Sequence, residues 1–287
     1  MNVVFVSDLF LKDGIIGGGE LNNHELCLIL RNAGHSVLEI NSHFLTQDFF
    51  KSHNNSKFIF GNFLNVPRNL FSQIQNNIKY VIYEHDHKYL KSRNPALYEN
   101  FLAPQEEIVF KKFYANAQNI FCQSKMHKDI LVKNLNLENI ISVGGNLWDD
   151  ETLEYIQKIS KTPKEKKYSI MDSLIPHKNT SDAIKYCRVK KIPYELIPSC
   201  PYKEFLKRIS RNDALIFLPK TPETLSRIVV EARMLGCKII TNSLIGATSE
   251  DWFSLKGEKL ISIMRNKRDI IPKIVIASFN DENTSHS

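Results

Sequence analysis

The sequence has no apolar run of the ~18 residues that a membrane-spanning helix needs. Its start, Met1-Asn-Val-Val-Phe-Val-Ser7, also lacks the basic residues and the long apolar stretch of a secretion signal, and is typical of a strand. We therefore expect no transmembrane segment. The expected location is the cytoplasm, the periphery of a membrane or, if the protein is viral, the cytoplasm of the host.

Cysteine is scarce and scattered. The chain of 287 residues has five cysteines, and none is spaced as a metal-binding pair or as part of a disulfide framework. They are Cys27, Cys122, Cys187, Cys200 and Cys237. This pattern speaks against a disulfide-stabilised secreted protein and favours a reducing compartment.

Acidic residues are too few to balance the basic ones. The sequence has 38 lysines and arginines against 31 aspartates and glutamates, which gives a net charge of +7 and a pI near 9.0. Such a chain suits an acidic partner, namely a nucleotide-sugar, a nucleic acid or an anionic membrane surface. A surface that is simply rich in lysine is the alternative.

Short β-like runs alternate with helical patterns, which predicts an α/β fold with parallel sheets. A turn at Gly144-Gly-Asn146 separates two such series, at 1–145 and 146–287. Two domains that face each other would leave a cleft at the carboxyl ends of their strands, where ligands bind in such sheets. The C-terminal tail of the second domain is expected to pack back on the first.

The patterns also predict the individual elements. The predicted strands are Asn2–Ser7, Ser36–Asn41, Lys57–Phe60, Lys79–Glu84, Asn119–Gln123, Ile140–Val143, Tyr168–Met171, Tyr194–Ile197, Ala214–Leu218 and Lys238–Thr241. The predicted helices are Glu20–Ala33, Pro67–Asn77, Pro104–Ala115, Lys125–Asn134, Glu151–Ser160, Thr180–Lys190, Tyr202–Ser210 and Thr224–Leu235. Lys161–Lys167 is interpreted as a polar linker or surface turn, and Asp281–Ser287 as a frayed end.

A glycine-rich segment follows the first strand. Gly17, Gly18 and Gly19 open a predicted helix, where the backbone could approach a ligand and the helix N-terminus would attract negative charge. The third glycine of the dinucleotide fingerprint and the phosphate-loop pattern are both missing. A tight turn between strand and helix is therefore the alternative interpretation.

Glu223 and Glu231 lie eight residues apart around the start of one predicted helix. Glu231 stands among apolar residues, and burial of an unpaired carboxylate is costly, so it needs a partner. Hydroxyl groups of a sugar or ribose would serve, and an ion pair with a neighbouring Arg or Lys is the alternative. For Glu223 the alternative is a solvated acid that favours the helix dipole.

Alternating acids and histidines follow the fourth strand, in Tyr83-Glu-His-Asp-His-Lys88. Histidine and carboxylate side chains suit zinc or iron. Further ligands are not evident in the sequence, so we predict no metal site here. A polar loop with a capping aspartate is the plain alternative.

Four segments, taken together, resemble the retaining family 4-type glycosyltransferases of the GT-B fold. They are Gly17-Gly-Gly-Glu20 with the later Gly34-His-Ser-Val37, the strand end Ile120-Phe-Cys-Gln-Ser124, the crossing Ile141-Ser-Val-Gly-Gly-Asn-Leu-Trp-Asp149, and the pair Glu223 and Glu231 followed by Ala232, Gly236 and Lys238-Ile-Ile-Thr241. The resemblance covers about residues 1–250. It implies two Rossmann-like domains facing across a cleft, with the acceptor on the side of 1–145 and the nucleotide-sugar in 146–287.

The resemblance also implies roles for residues of the second domain. Glu231 would accept hydrogen bonds from the donor's ribose, Glu223 would contact the transferred sugar, and Lys178 would bind the diphosphate. The backbone N–H groups of Thr224, Leu225 and Ser226 would face the sugar or the phosphate.

In the first domain the resemblance implies that Gly17, Gly18 and Gly19 approach the donor. His85, with Asp86 beside it, would contact the sugar or the acceptor, and a general-base role is conceivable for this histidine. No catalytic metal and no cofactor are implied, and the donor would be a UDP- or GDP-sugar.

The chain departs from the family pattern at two positions. Ser173 stands where the family has a phosphate-binding arginine, and Ser226 stands where it has a glycine. His177, Lys220 and Arg227 are the candidates to supply the missing charge.

The sequence therefore predicts a retaining, metal-independent glycosyltransferase that moves a hexose from a nucleotide-sugar to a hydroxyl acceptor. The acceptor could be a glycan or lipid at a membrane surface, which would face Lys111, Lys112, Lys125 and Lys128. It could also be DNA with a hydroxymethylated base, as in small phage-type glucosyltransferases. A flipped base would need an aromatic lining, for which Phe44, Phe49, Phe50 and Tyr89 are candidates, although each also suits the core.

Two other functions stay open. A non-catalytic protein that binds a nucleotide-sugar or a nucleic acid, with a degenerate transferase fold, would explain the missing arginine. A nucleotide-sugar epimerase of similar two-domain shape fits less well.

Overall fold

The computed structural model describes residues 1–14 and 17–280. These residues form two compact units, the first from 1–123, 127–147 and the chain beyond 266, and the second from 124–126 and 148–266. Both units are α/β, as predicted. No helix in the described ranges is both long enough and apolar enough to cross a membrane.

The first unit is built on a six-stranded parallel sheet, ordered β2-β1-β3-β4-β5-β6. Its strands are β1 (Asn2–Ser7), β2 (Ser36–Asn41), β3 (Lys57–Phe60), β4 (Tyr80–Tyr83), β5 (Ile120–Cys122) and β6 (Ile140–Ser142). Its helices are α1 (Gly18–Asn32), α2 (Gln47–Ser52), α3 (Phe71–Asn77), α4 (Lys111–Ala115) and most of α5 (Lys125–Leu135). Almost every residue of β1, β3 and β4 is buried, which is typical of a parallel sheet covered on both faces.

The second unit has a four-stranded parallel sheet, ordered β8-β7-β9-β10. Its strands are β7 (Glu165–Met171), β8 (Tyr194–Ile197), β9 (Asn212–Phe217) and β10 (Lys238–Thr241). Its helices are α6 (Asp150–Ile159), α7 (Thr180–Lys190), α8 (Tyr202–Ser210), α9 (Arg227–Met234) and the first part of α10 (Glu258–Ala277). The last turns of α10 join the core of the first unit through Ile271 and Val275.

Both sheets reverse their strand order beside their first strand. The chain steps from β1 to β2 on one side and to β3 on the other, and from β7 to β8 and β9 in the same way. Ligands of open α/β sheets bind at the carboxyl ends of the strands at such a reversal. This topology directs attention to the loops that follow β1 and β3, and β7 and β9.

The helix predicted at Pro104–Ala115 is shorter than expected. Only Lys111–Ala115 is α-helical, because Val109 donates its N–H to the carbonyl of Tyr89 and Ile108 forms an antiparallel bridge with Leu90. Tertiary pairing with the chain after β4 thus overrides the local helical pattern.

Several other boundaries differ from the sequence prediction, such as the start of α3 at Phe71 instead of Pro67, and two of them have a clear tertiary cause. Residues 165–167 are part of β7 rather than a linker, because the backbone of Glu165 pairs with β9. The helix predicted at Thr224–Leu235 begins three residues later, at Arg227, because the preceding residues pair with another segment. Asp281–Ser287, predicted to be frayed, lie outside the described residues.

Candidate functional site

The loop after β7 carries Lys178 and is tied to the carboxyl edge of the second sheet. The hydroxyl of Thr180 donates to the carbonyl of Met171 at 2.8 Å and accepts the N–H of Ser173 at 3.1 Å. The amide of Asn179 donates to the carbonyl of Leu218, just beyond β9, at 2.7 Å. These bonds fix Lys178 at the strand reversal between β7 and β9.

Lys178 and Glu223 form an ion pair there, although 45 residues separate them in sequence. The Nζ–Oε1 distance is 2.7 Å, and the two side chains are 25% and 17% exposed. The ammonium also lies 5.7 Å from the centroid of the Phe217 ring. Two residues that the sequence assigned to phosphate and to sugar are therefore neighbours, and both stay accessible to a ligand.

Glu223 belongs to an extended segment that pairs with the chain after β10. Its N–H donates to the carbonyl of Leu244 at 2.8 Å, and its own carbonyl accepts the N–H of Gly246 at 2.8 Å. A methyl group at Gly246 would overlap the carbonyl of Thr224, so this close approach requires glycine. The pairing explains why residues 223–226 do not join the helix.

The turn from this segment into α9 has a left-handed backbone at Ser226, with φ 76° and ψ 87°. Asn179, before α7, is left-handed too, with φ 59°. Glycine is the residue that adopts this conformation without strain, and the resembled family has it at position 226. Here serine adopts the same backbone conformation.

Ser226 also places a hydroxyl at the N-terminus of α9. The residue is 6% exposed, and in the part of the chain that the structure describes its Oγ is buried without a hydrogen-bond partner. The first N–H groups of a helix have no acceptor within the helix. This end of α9 therefore offers hydrogen-bond donors to an anion, and a buried hydroxyl beside them.

Glu231 is buried in α9, with 3% of its surface exposed. Its Oε1 accepts the indole N–H of Trp148 at 2.9 Å and the hydroxyl of Tyr202 at 2.6 Å. The Nε of Arg227 lies 3.5 Å from the same oxygen. The ion pair that the sequence offered as an alternative is therefore present, and the ribose role of Glu231 stays a prediction.

The partners of Glu231 also support one another. The guanidinium carbon of Arg227 lies 4.2 Å from the centroid of the Trp148 ring, a cation–π contact. Burial and the charge of Glu231 raise the pKa of Tyr202 above its ordinary value, so the phenol stays protonated and donates. The carboxylate is held in one orientation by three side chains.

None of the three candidates for the missing cation stands out as its replacement. Arg227 is committed to Glu231 and Trp148. Lys220 is exposed. Partial burial and the nearby charge of Lys178 lower the pKa of His177, so this imidazole is neutral at pH 7. Lys178 remains the cation best placed at the carboxyl edge.

In the first unit, Gly17 is the N-cap of α1 and Gly18 its first residue. A methyl group at Gly19 would lie 3.7 Å from the ring of His85, so the glycine segment and the histidine are neighbours. Ile15 and Ile16, from the same predicted loop, lie outside the described residues.

His85 is held by neutral side chains on both ring nitrogens. Nδ1 contacts the amide nitrogen of Gln123, and Nε2 contacts the amide oxygen of Asn23. The ring stands edge-on to Tyr83, with 4.8 Å between centroids. These contacts hold the imidazole ring in one orientation.

His127 contacts both the loop after β4, which carries His85, and the loop after β5, which carries Gln123. Its Nδ1 accepts the N–H of Gln123 at 3.3 Å, and its Nε2 bonds to the carbonyl of Asp86 at 3.0 Å. Burial lowers its pKa to about 4, so the ring is neutral at physiological pH. His127 therefore stabilises the loop that carries His85, and no sequence motif indicated this role.

The two acids of this loop have separate partners, whereas both ring nitrogens of the buried His87 have no hydrogen-bond partner among the described residues. Glu84 is buried and contacts Lys88 and Tyr114, whereas Asp86 forms an ion pair with Arg93. Burial lowers the pKa of His87 well below its ordinary value. Within 1–14 and 17–280, no three His, Cys, Asp or Glu side chains are grouped to hold a metal ion.

Solved structures provide the relatives of this fold, since no protein-family model and no curated protein matches the sequence. Sucrose-phosphate synthase from Thermosynechococcus elongatus matches with a TM-score of 0.62 at 8% identity, covering 97% of this chain and 99% of that one. The catalytic domain of starch synthase IV from Arabidopsis thaliana, bound to ADP and acarbose, matches with a TM-score of 0.56 at 10% identity, covering 95% and 94%.

Anabaena HepE in complex with UDP matches with a TM-score of 0.51 at 12% identity, covering 97% of this chain and 93% of that one. Together these neighbours confirm the predicted GT-B fold. Identities this low concern the fold alone, so the chemistry must be argued from the residues of this chain.

Proposed function

We propose that this protein is a nucleotide-sugar-dependent glycosyltransferase that retains the anomeric configuration of the sugar. The observation that carries the proposal is the pairing of Lys178 with Glu223 at the strand reversal of the second sheet, beside the N-terminus of α9. A cation and helix N–H groups suit a diphosphate, and a carboxylate suits sugar hydroxyls.

The donor we assign is a sugar linked to a nucleoside diphosphate, with UDP first and GDP second. Among the structural neighbours, HepE was solved with UDP and starch synthase IV with ADP. ADP therefore joins UDP and GDP in any test of this chain.

The difficult step is departure of the nucleoside diphosphate from the anomeric carbon. The C–O bond breaks with its electron pair on the phosphate oxygen, and Lys178 with the first N–H groups of α9 would stabilise that charge. Glu223 is then relieved of its ion pair and is available to a sugar hydroxyl. The diphosphate takes the place of Glu223 as the partner of Lys178, so this lysine stays paired with a negative charge throughout.

Retention requires the acceptor to attack the face from which the diphosphate leaves. The acceptor oxygen forms the new C–O bond, and its proton passes to the departing phosphate oxygen, which is the base on that face. This assignment needs no second carboxylate as nucleophile. His85, held in place by Gln123 and Asn23, would orient the sugar or acceptor.

The test is a titration of the protein with UDP, GDP, ADP and their glucose conjugates, followed by melting temperature and by hydrolysis of each donor. We expect one nucleotide to raise the melting temperature, because a ligand that binds only the folded state stabilises it. Lys178→Ala should abolish that rise. Lys185→Ala, an exposed lysine of α7, is the matched control and should behave as wild type.

A non-catalytic binding protein is the second candidate. It is favoured by Ser173, whose N–H and hydroxyl serve only the loop: the N–H donates to Thr180 and the Oγ accepts from Ile175. Binding of a nucleotide-sugar without hydrolysis or transfer would select this candidate. Failure of every nucleotide to stabilise the fold would overturn both the transferase and the nucleotide-sugar-binding protein.

A further inference from the structure

The net positive charge of the protein lies entirely in its second unit. By sequence, the first unit has 16 lysines and arginines and 16 aspartates and glutamates, whereas the second has 22 against 15. The first unit is therefore neutral and the second has a net charge of +7. A donor site with one accessible lysine does not require so large an excess.

Much of this excess lies where the strands of the second sheet begin. The exposed cations there are Lys161, Lys166, Arg188, Lys190, Lys191 and Arg211, which we call the basic edge. They lie in or beside the starts of β7, β8 and β9, which are adjacent strands. Neighbouring strands are ~4.8 Å apart, so the cations form a row rather than a scatter.

Backbone contacts confirm that the row is continuous. The N–H of Glu165 donates to the carbonyl of Arg211 at 2.7 Å, and the N–H of Tyr168 donates to that of Pro193 at 2.9 Å. The N–H of Lys191 donates to the carbonyl of Arg188 at 3.2 Å. The entries to β7, β8 and β9 are therefore side by side.

Within the described ranges, the cations of the basic edge are not held in ion pairs. Nearby acids are already used, since Glu165 pairs with Lys167, Asp213 with Lys238 and Glu195 with Arg208. Across the residues that the structure describes, no ion pair involves any of the six cations. They are available to an external anion.

The row is separate from the candidate donor site. It lies at the amino ends of the strands, whereas Lys178 and Glu223 lie at the carboxyl ends. β7 has seven residues, which places the two edges roughly 20 Å apart. One diphosphate cannot occupy both.

Helix dipoles do not account for the row. Cations do favour helix C-termini, which lie at this edge in an α/β unit. The first unit has the same architecture, however, and its corresponding turns combine the cations Lys57, Lys79 and Lys133 with many asparagines: Asn54, Asn55, Asn116, Asn119, Asn136 and Asn139. Its cation at the end of α1, Arg31, is paired with Glu39 at 2.6 Å.

We propose that the basic edge binds the surface of an anionic lipid bilayer. Four of its six cations are lysines, which suit mobile phosphate headgroups as point charges. Val189, 70% exposed, lies among them and could enter the headgroup region. The aromatic residues nearest the row, Tyr168, Tyr186 and Tyr194, pack against the core of the second unit, so they do not present open rings for the base stacking that single-stranded nucleic acids use.

The experiment is sedimentation of the full chain with vesicles of phosphatidylcholine, with and without phosphatidylglycerol. We expect binding only to the anionic vesicles, and weaker binding as salt is raised. The variant Lys166→Glu, Lys190→Glu, Lys191→Glu should bind at least about tenfold more weakly. The control variant Lys111→Glu, Lys112→Glu, Lys128→Glu makes the same charge change in the first unit and should bind like wild type.

Other outcomes would overturn the proposal. Equal losses in the two variants would show that only overall charge matters, and a loss confined to the control would place the surface on the first unit. A gel shift with DNA that the basic-edge variant abolishes, without vesicle binding by the wild type, would make nucleic acid the partner. Circular dichroism and the alanine version of each variant separate lost binding from lost folding.

Discussion

The two units of this protein share the order of their first four strands but differ in net charge and in the charge of their candidate site residues. In the first unit, the candidate His85 is fixed by the neutral partners Asn23 and Gln123, and net charge is zero. In the second, the candidate residues are ions in pairs, Lys178 with Glu223 and Arg227 with Glu231. A common architecture thus leaves electrostatics to the side chains, and only the second unit is built to attract an anion.

The largest effect should come from Lys178→Ala, which removes the cation at the carboxyl edge of the second unit. We expect hydrolysis or transfer of the donor to fall about 10²–10³-fold, which is typical for loss of one group that stabilises developing negative charge. The measurement is the initial rate with saturating donor. His85→Asn should reduce the rate less, and a larger loss there would reverse the contrast between the units.

Buried acids in both units should be similarly costly to disturb. Lys88→Met leaves Glu84 charged and buried without its cation, and Glu231→Ala leaves the donors of Trp148 and Tyr202 without an acceptor. We expect each change to lower the free energy of unfolding by about 3 kcal/mol. Urea denaturation measures this loss.

An exposed ion pair provides the control for these buried acids. Glu151→Ala breaks the pair with Lys203, in which the side chains are 77% and 56% exposed, and should cost less than about 1 kcal/mol. If Glu231→Ala were as mild as Glu151→Ala, the described partners of Glu231 would contribute little to stability.

Acid should destabilise the protein through the buried histidines of the first unit, His127 and His87. The pKa of His127 is about 4 when folded, below the ordinary 6.5, so the unfolded chain binds the extra proton first. Stability should therefore fall as the pH drops from about 6.5 towards 4, by up to about 3 kcal/mol. Urea midpoints between pH 7 and 4 measure it, and His127→Gln should flatten this part of the profile. An unchanged slope in the variant would assign the acid sensitivity elsewhere.

The smallest effect concerns the left-handed residue of the second unit. Ser226→Gly removes backbone strain and an unpartnered buried hydroxyl, and should raise the free energy of unfolding by up to about 1 kcal/mol. Asn179→Gly should instead lower it, because asparagine tolerates this conformation better and the amide bond to the carbonyl of Leu218 is lost. Thermal melting compares the two, and a loss of stability in Ser226→Gly would mean that the hydroxyl has a structural role.

The sequence predicted well those features that depend on residues close together along the chain, such as the bounds of many strands and helices. The bounds of β1, β2, β3, β8 and β10, and of α7 and α8, agree with the predicted ones residue by residue. Each has a strong local period or a clear turn at its ends. The predicted helix Thr224–Leu235 failed at its start because pairing with residues 244–246, which no local pattern reveals, holds Glu223 extended.

The same division holds for the candidate site. The spacing of Glu223 and Glu231 and the place of Lys178 were visible in the sequence, and so was the GT-B resemblance. Trp148 was visible only as part of a matched segment, and neither Tyr202 nor His127 had any signal as a support. Such partners are chosen by packing, so they lack a fixed spacing from the residue that they hold.

By itself, the amino-acid sequence determined the α/β alternation, the fold that follows from it, and the presence of two acids and a lysine in an order suited to a nucleotide-sugar. Tertiary structure decided which groups meet: Lys178 with Glu223 across 45 residues, and Trp148 with Glu231 across 83. It also gathered scattered lysines into one edge. The physical reason is that periodicity acts over a few residues, whereas charge pairing and burial depend on distances in space.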